Sequence, residues 1–165
     1  MIKRIFLLAA MAVSLAVAED QKISINGLQV PISDGSSLTL TFGGTISKMD
    51  VGDSGRITYD YAGRIDRVGS SAITYDYAGR IDRIGLSTIT YDYAGRIDRI
   101  GNSTITYDYA GRIDRIGSST ITYDYAGRID RIGSSTITYD YAGRIDEVRN
   151  QLPDGVRLSF KISDK

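Results

Sequence analysis

From residue 57 to residue 146 the chain alternates apolar and polar positions in short runs that restart every 16 residues. The segment ITYDYAGRID begins at positions 57, 73, 89, 105, 121 and 137, and the hexapeptides RVGSSA, RIGLST, RIGNST, RIGSST and RIGSST join successive copies. In the first copy Ile57, Tyr59 and Ile65 fall on one face of a period-two pattern, which predicts short, half-buried β-strands. Turn chemistry separates the strands. Asp60-Tyr61-Ala62-Gly63 puts Asp at the first and Gly at the last position of a type I turn, and a left-handed Gly63 would close a three-residue hairpin loop. Gly69-Ser70-Ser71 supplies a second turn, so each 16-residue unit divides into strands of five residues and loops of three. That division predicts an all-β antiparallel meander of tandem hairpins. One unit cannot bury its apolar face alone, so its stability must come from neighbouring copies.

The register follows from the loops. With Tyr61-Ala62-Gly63 at the tip, Asp60 is expected to face Arg64, Tyr59 to face Ile65, Thr58 to face Asp66 and Ile57 to face Arg67. With Gly69-Ser70-Ser71 as the next loop, Arg64 also faces Asp76, and Ile65 faces Tyr75. Along the chain this predicts a structural ladder of alternating charge: Asp60, Arg64, Asp76, Arg80, Asp92, Arg96, Asp108, Arg112, Asp124, Arg128, Asp140 and Arg144. On the other face Tyr59, Ile65, Tyr75 and Ile81 begin a second ladder that runs to Tyr139 and Ile145. The alternative architecture is a parallel β-solenoid with one 16-residue coil per copy. It would stack Asp on Asp and Arg on Arg at about 4.8 Å, which is unfavourable for directly opposed like charges.

The flanks read as caps. Ile23-Ser24-Ile25, Asn26-Gly27 and Leu28-Gln29-Val30 form the strongest short-range hairpin signal in the chain, and Pro31 suits a sheet edge. Residues 38–46, LTLTFGGTI, are similar to a degenerate copy with Phe42-Gly43-Gly44 in place of Tyr-Ala-Gly. Pro153-Asp154-Gly155 turns into an alternating last strand from Val156 to Ile162. The chain is thus expected to comprise a signal peptide (1–18), an N-terminal capping hairpin with a degenerate repeat (19–50), six tandem repeats (51–148) and a C-terminal capping strand (149–165). These flanks look too short to cover the apolar stripe of the repeats, so the sheet is expected to curl on itself or to bind something.

Lys3 and Arg4, the apolar run from Ile5 to Val17, and Ala16-Val17-Ala18 have the layout of a bacterial-type secretory signal cleaved after Ala18. The mature protein would begin at Glu19 and be secreted, into the periplasm or outside the cell. The apolar run is short for a membrane span and no later segment is long enough, so no transmembrane segment is expected. Loss of Lys3 and Arg4 from a chain with 20 basic and 20 acidic residues leaves a net charge of about −2, which lacks the basic surface that nucleic-acid binding needs. The chain has no Cys and no His. Disulfides, imidazole bases and most zinc sites are thereby excluded, and no cofactor, metal or catalytic residue is expected.

Tyr59-Asp60-Tyr61-Ala62-Gly63-Arg64-Ile65 resembles the YD-repeat (RHS-type) signature, Tyr-Asp-x-x-Gly-Arg-Leu, with Ile for Leu. All six copies match, over residues 57–146. The resemblance implies a spiralling β-sheet in a secreted or surface protein, and carbohydrate binding has been proposed for repeats of this family. Here the unit is shorter and more regular than is usual in the family, and only 19 residues follow position 146. A closed shell and a toxin-delivery role are therefore not implied.

Candidate chemistry is confined to the repeat. Tyr61, Tyr77, Tyr93, Tyr109, Tyr125 and Tyr141 occupy a variable place in the family signature yet are Tyr in every copy. Set in the loops along one edge, they are candidate ligand-binding residues, because aromatic rings beside paired charges can stack on sugars. Near-identical duplication also copies a residue whether or not it is used. Asp60 and Asp66 are expected to pair across strands on an open sheet rather than to perform acid–base work in a cleft. Calcium β-rolls need more oxygen ligands than this unit supplies. Thr-Ile-Thr at 88–90, 104–106, 120–122 and 136–138 raises ice binding, although Thr is also a good strand residue. The sequence therefore points to a non-enzymatic structural or interaction protein of the cell envelope or extracellular matrix that binds glycan or associates with itself. Ice or another crystalline surface is the alternative ligand.

Overall fold

The computed structural model describes residues 21–32 and 34–164, so the expected signal peptide lies outside the described residues. Among the described residues there are sixteen strands and no helix. They are β1 (Gln21–Pro31), β2 (Ser37–Leu40), β3 (Ile46–Asp50), β4 (Ile57–Tyr59), β5 (Ile65–Val68), β6 (Ser71–Tyr75), β7 (Ile81–Ile84) and β8 (Ser87–Tyr91). Then come β9 (Ile97–Ile100), β10 (Ser103–Tyr107), β11 (Ile113–Ile116), β12 (Ser119–Tyr123), β13 (Ile129–Ile132), β14 (Ser135–Tyr139), β15 (Ile145–Arg149) and β16 (Arg157–Asp164). The strands β4 to β15 lie side by side in sequence order in one 12-stranded sheet, and β16-β1-β2-β3 form a second, four-stranded sheet. Successive strands pair antiparallel throughout the repeats. The fold is the meander of tandem hairpins and not the parallel solenoid, and the sheet is not closed into a barrel.

Two turns shape each copy. At the tip, Asp60 donates its backbone N–H to the Arg64 carbonyl at 2.9 Å, Gly63 donates to the Asp60 carbonyl at 3.0 Å, and Gly63 takes φ 78°. This is the expected three-residue loop, whose last residue needs the left-handed region that Gly enters freely. At the other end Val68 pairs with Ser71, so the connection has two residues, Gly69-Ser70, and not three. Gly69 has φ 57° while Ser70 stays at negative φ, the combination of a hairpin turn that requires glycine first.

The register within a copy also differs from simple alternation. Tyr59 faces Ile65 as expected, but Thr58 faces Arg67 and Ile57 faces Val68, because Asp66 is the extra residue of a β-bulge. The bulge reverses the side on which the following residues emerge. Ile65 and Val68 therefore both point inward although they stand three apart, and the equivalent Ile97, Ile100, Ile113, Ile116, Ile129 and Ile132 are all buried.

The apolar face is covered, contrary to the expectation from flank length. Leu28, Val30, Leu38 and Leu40 of the four-stranded sheet join Ile73, Ile89, Ile105 and Ile121 of the repeats in one continuous core. The covering sheet gains its width by joining the chain's two flanks, since β1 pairs with β16 from Gln21↔Asp164 to Gln29↔Arg157. Asn26-Gly27 makes no hairpin: β1 runs straight through it, with a register shift between Ile25 and Gly27. Residues 38–46 form a hairpin with the geometry of the repeat unit. Leu40 faces Ile46, Thr39 faces Lys48 and Leu38 faces Met49, reproducing the bulge, and Gly44 takes φ 81°. The tip of this seventh hairpin is docked rather than free: Ile113 donates to the Phe42 carbonyl at 2.8 Å and Ile97 to the Gly44 carbonyl at 3.0 Å.

Candidate functional site

Each hairpin tip is locked by its aspartate. Asp60 Oδ1 accepts the backbone N–H groups of Ala62 at 2.8 Å and Arg64 at 2.9 Å, while Oδ2 accepts Arg64 Nε at 2.8 Å and Nη2 at 2.7 Å. The backbone and Nε contacts recur at Asp76, Asp92, Asp108, Asp124 and Asp140. A carboxylate whose two oxygens take four donors fixes the loop it caps. The rigid tip then projects Tyr61, and likewise Tyr77, Tyr93, Tyr109, Tyr125 and Tyr141, wholly into solvent. Equivalent tips are two strands apart, so neighbouring rings in the row repeat at about 10 Å.

The predicted charge ladder is corrected in one respect. Each arginine pairs with the aspartate of its own hairpin, but its free face meets an aromatic ring of the next copy and not the next aspartate. The Arg64 guanidinium lies 4.1 Å from the Tyr75 ring centroid, and Arg80 on Tyr91, Arg96 on Tyr107, Arg112 on Tyr123 and Arg128 on Tyr139 repeat the stack at 4.0–4.1 Å. A cation held over a ring face by its own counter-ion is an attractive contact, worth about 0.5–1 kcal/mol when partly exposed. The same tyrosine also donates its hydroxyl backwards, Tyr75 to the Ile65 carbonyl at 2.7 Å and Tyr91 to the Ile81 carbonyl at 2.7 Å. The expected facing of Ile65 and Tyr75 across the strands is not formed, because the two-residue connection pairs β5 with β6 at Arg67↔Ala72 and Val68↔Ser71; Tyr75 meets Ile65 by its hydroxyl alone. The recurring 11-residue interval from Arg64 to Tyr75 carries this link in the sequence, but no local rule distinguishes it from other intervals in a perfect repeat.

Thr58 donates its hydroxyl to Asp66 at 2.5 Å, and Thr106 and Thr122 donate to Asp114 and Asp130 at 2.6 and 2.5 Å. The outward face also sets an arginine between threonines of adjacent strands, as in Thr90, Arg99 and Thr104. These threonines form no uninterrupted hydroxyl array.

Ionisation follows from these contacts. The backbone bond from Arg64, aided by its guanidinium, holds the Asp60 carboxyl below the usual range, and Asp76 behaves alike. At Asp92 and Asp108 burial works the other way, and the bonds from Arg96 and Arg112 outweigh it. Burial pushes the phenols of Tyr91, Tyr107 and Tyr139 up to about 12, against the opposing pull of the stacked arginines. A depressed carboxylate contributes stability above its unfolded value that is lost as the pH falls through its folded value, and a raised phenol contributes stability below its unfolded value that is lost as the pH climbs. Thermal stability is therefore expected to be flat from about pH 4 to 10, to fall below that window as the tip aspartates protonate, and to fall above it as the strand tyrosines ionise. Melting curves from pH 2 to 12 check this, and a midpoint that changed steadily across neutrality would contradict it.

No protein-family model matches the chain, and no curated protein matches it either. Among the described residues, no helix is long and apolar enough to cross a membrane.

Proposed function

We propose that this is an exported, non-enzymatic structural or interaction protein of the cell envelope or extracellular matrix, whose hairpin-tip tyrosines form a binding edge for an extended glycan. The observation that carries this reading is the row of fully exposed rings on tips locked by Asp–Arg pairs. Large rings held in solvent serve contact better than folding, and a stacking platform at regular spacing suits a polymer of regular spacing. The Tyr-Asp-x-x-Gly-Arg runs support kinship with the YD-repeat family, and the N-terminal sequence supports export. The tip aspartates support a structural role, since each accepts from its own loop and its own arginine and its carboxyl is held below the usual range.

The test replaces Tyr93, Tyr109 and Tyr125 together with serine and compares the variant with the unmodified protein on a panel of immobilised polysaccharides. Stability is expected to stay within about 0.5 kcal/mol per site, as for exposed substitutions. Binding is expected to weaken more than tenfold, since each aromatic contact contributes about 0.5–1.5 kcal/mol. Unchanged binding by a folded variant would leave the rings as passengers of duplication.

A further inference from the structure

One hairpin meets the next in the same way five times, at β5·β6, β7·β8, β9·β10, β11·β12 and β13·β14. Both halves of a sixth such interface stand open at the ends of the 12-stranded sheet. At one end Tyr59 carries no arginine and is 61% exposed, and Ile57 is 46% exposed, whereas the equivalent Ile73 is 2% exposed. At the other, the Arg144 side chain is 66% exposed, against 32–41% for the five arginines that stack on a following tyrosine. Among the described residues, the large exposed apolar side chains of the 12-stranded sheet other than the tip tyrosines and Leu86 are Ile57 and Tyr59, both on its β4 edge.

We propose that these ends join, the β15 edge of one chain pairing with the β4 edge of a second copy in the register used inside the sheet, so that the protein assembles head to tail. The register makes the proposal specific. Inside the sheet Arg131 faces Thr136 and Ile132 faces Ser135. Moving on by one repeat sets Glu147 opposite Arg56 of the second copy, and Val148 opposite its Gly55. These are the positions at which the ends depart from the internal pattern: Glu147 stands where the five earlier copies have Arg, and Arg56 where the five later copies have Ala or Thr. Two arginines would otherwise meet across the junction, if Arg56 faced the usual residue. Instead the pair has opposite charge, which is favourable directly across antiparallel strands. The same step lays Arg144 over Tyr59 of the second copy and brings that ring's hydroxyl to the Ile145 carbonyl, completing the sixth stack.

Neither edge is capped by its flank. Before β4 the chain folds over the Gly69-Ser70 turn that follows β5, where Asp53 Oδ2 accepts the Ser70 N–H at 2.6 Å. After β15 it folds likewise over the turn before β14, with Ser135 donating to the Gln151 carbonyl at 2.6 Å. Within one chain Glu147 rests on Arg149 at 2.8 Å, both largely exposed; that exposed pair has little to lose when a second cation arrives opposite. A contact between two different surfaces is not satisfied in a dimer and, unless the rotation per copy closes a ring, continues into a filament. The inference goes beyond the glycan-binding function proposed above and uses none of the tip tyrosines, so a failed glycan screen leaves it standing.

Sedimentation and electron microscopy of the mature chain at rising concentration provide the test. Open-ended growth into unbranched filaments, weakened by salt, is the expected result. Glu147→Arg and Arg56→Glu alone should each raise the concentration needed for assembly by about tenfold or more, as like charges meet at the junction. The double variant E147R/R56E should restore it, with all three variants melting like the unmodified protein. A mass that stays monomeric, a closed symmetric dimer, or folded single variants that assemble undiminished would each overturn the proposal.

Discussion

Tyr107→Ala is expected to lower the free energy of unfolding by about 3 kcal/mol, as for loss of a packed aromatic ring, whereas Tyr109→Ala should change it by no more than about 0.5 kcal/mol. The two rings are two residues apart in the sequence yet opposite in environment. Tyr107 is half-buried, is stacked by Arg96 at 4.0 Å, donates its hydroxyl to the Ile97 carbonyl and lies against Gly44 of the docked hairpin. Truncation leaves a cavity beside the docked hairpin, leaves the Ile97 carbonyl without its hydroxyl donor and uncovers one face of the Arg96 guanidinium. Tyr109 touches solvent on every side. Denaturant unfolding of the pair settles the contrast, and equal losses at both sites would show that the tip rings belong to the core.

Gly27→Ala is expected to cost about 3 kcal/mol, the upper end for overpacking a filled interior. A β-carbon there would stand 2.4 Å from the Leu40 carbonyl oxygen and 3.2 Å from a Thr39 methyl. Both neighbours belong to β2, and Leu28 and Leu40 are fully buried, so the backbone has nowhere to retreat. Gly43→Ala is the control. Its nearest neighbour would be 3.9 Å away, and the equivalent residue in all six repeats is alanine, so that change should be neutral or slightly stabilising. If urea midpoints fell equally for both variants, the loss would reflect a general effect of replacing glycine and not the close approach of β1 to β2.

Gly27 also shows where sequence reasoning stops. Asn26-Gly27 carries strong hairpin chemistry, but a turn forms only if no better partner offers itself, and β16 arrives from more than 125 residues away to pair with β1 on both sides of that dipeptide. Local signals contain no trace of such a partner. The tip loops were legible because Asp60 and Gly63 must occupy fixed places in a three-residue turn, and the hairpin at 38–46 was legible because it keeps the glycine and the apolar positions even where Thr41 and Thr45 replace Asp and Arg. Their hydroxyls, 2.8 Å apart, make a neutral version of the same clasp. The bulge at Asp66 was hidden, since period-two alternation assigns Val68 to the wrong face. The exposure of the tip tyrosines followed from their place in the loop. The Arg–Tyr stacks did not, because an arginine with an aspartate beside it gives no sign of what its other face will meet.

The pairing of β1 with β16 has a consequence for how such a chain can change over generations. Tandem near-identical copies are readily lost or gained as whole units, and within the 12-stranded sheet one unit more or less would leave the pairing of the others intact, as each pairs only with its neighbours. Every added unit nevertheless widens that sheet by about 10 Å, while the strand that follows the last copy must still return to the one near the start. The covering sheet spans only four strands and its two tethers, 51–56 and 150–156, are short. It acts as a gauge on the array, setting an upper bound on the number of copies that can be enclosed by a single covering sheet.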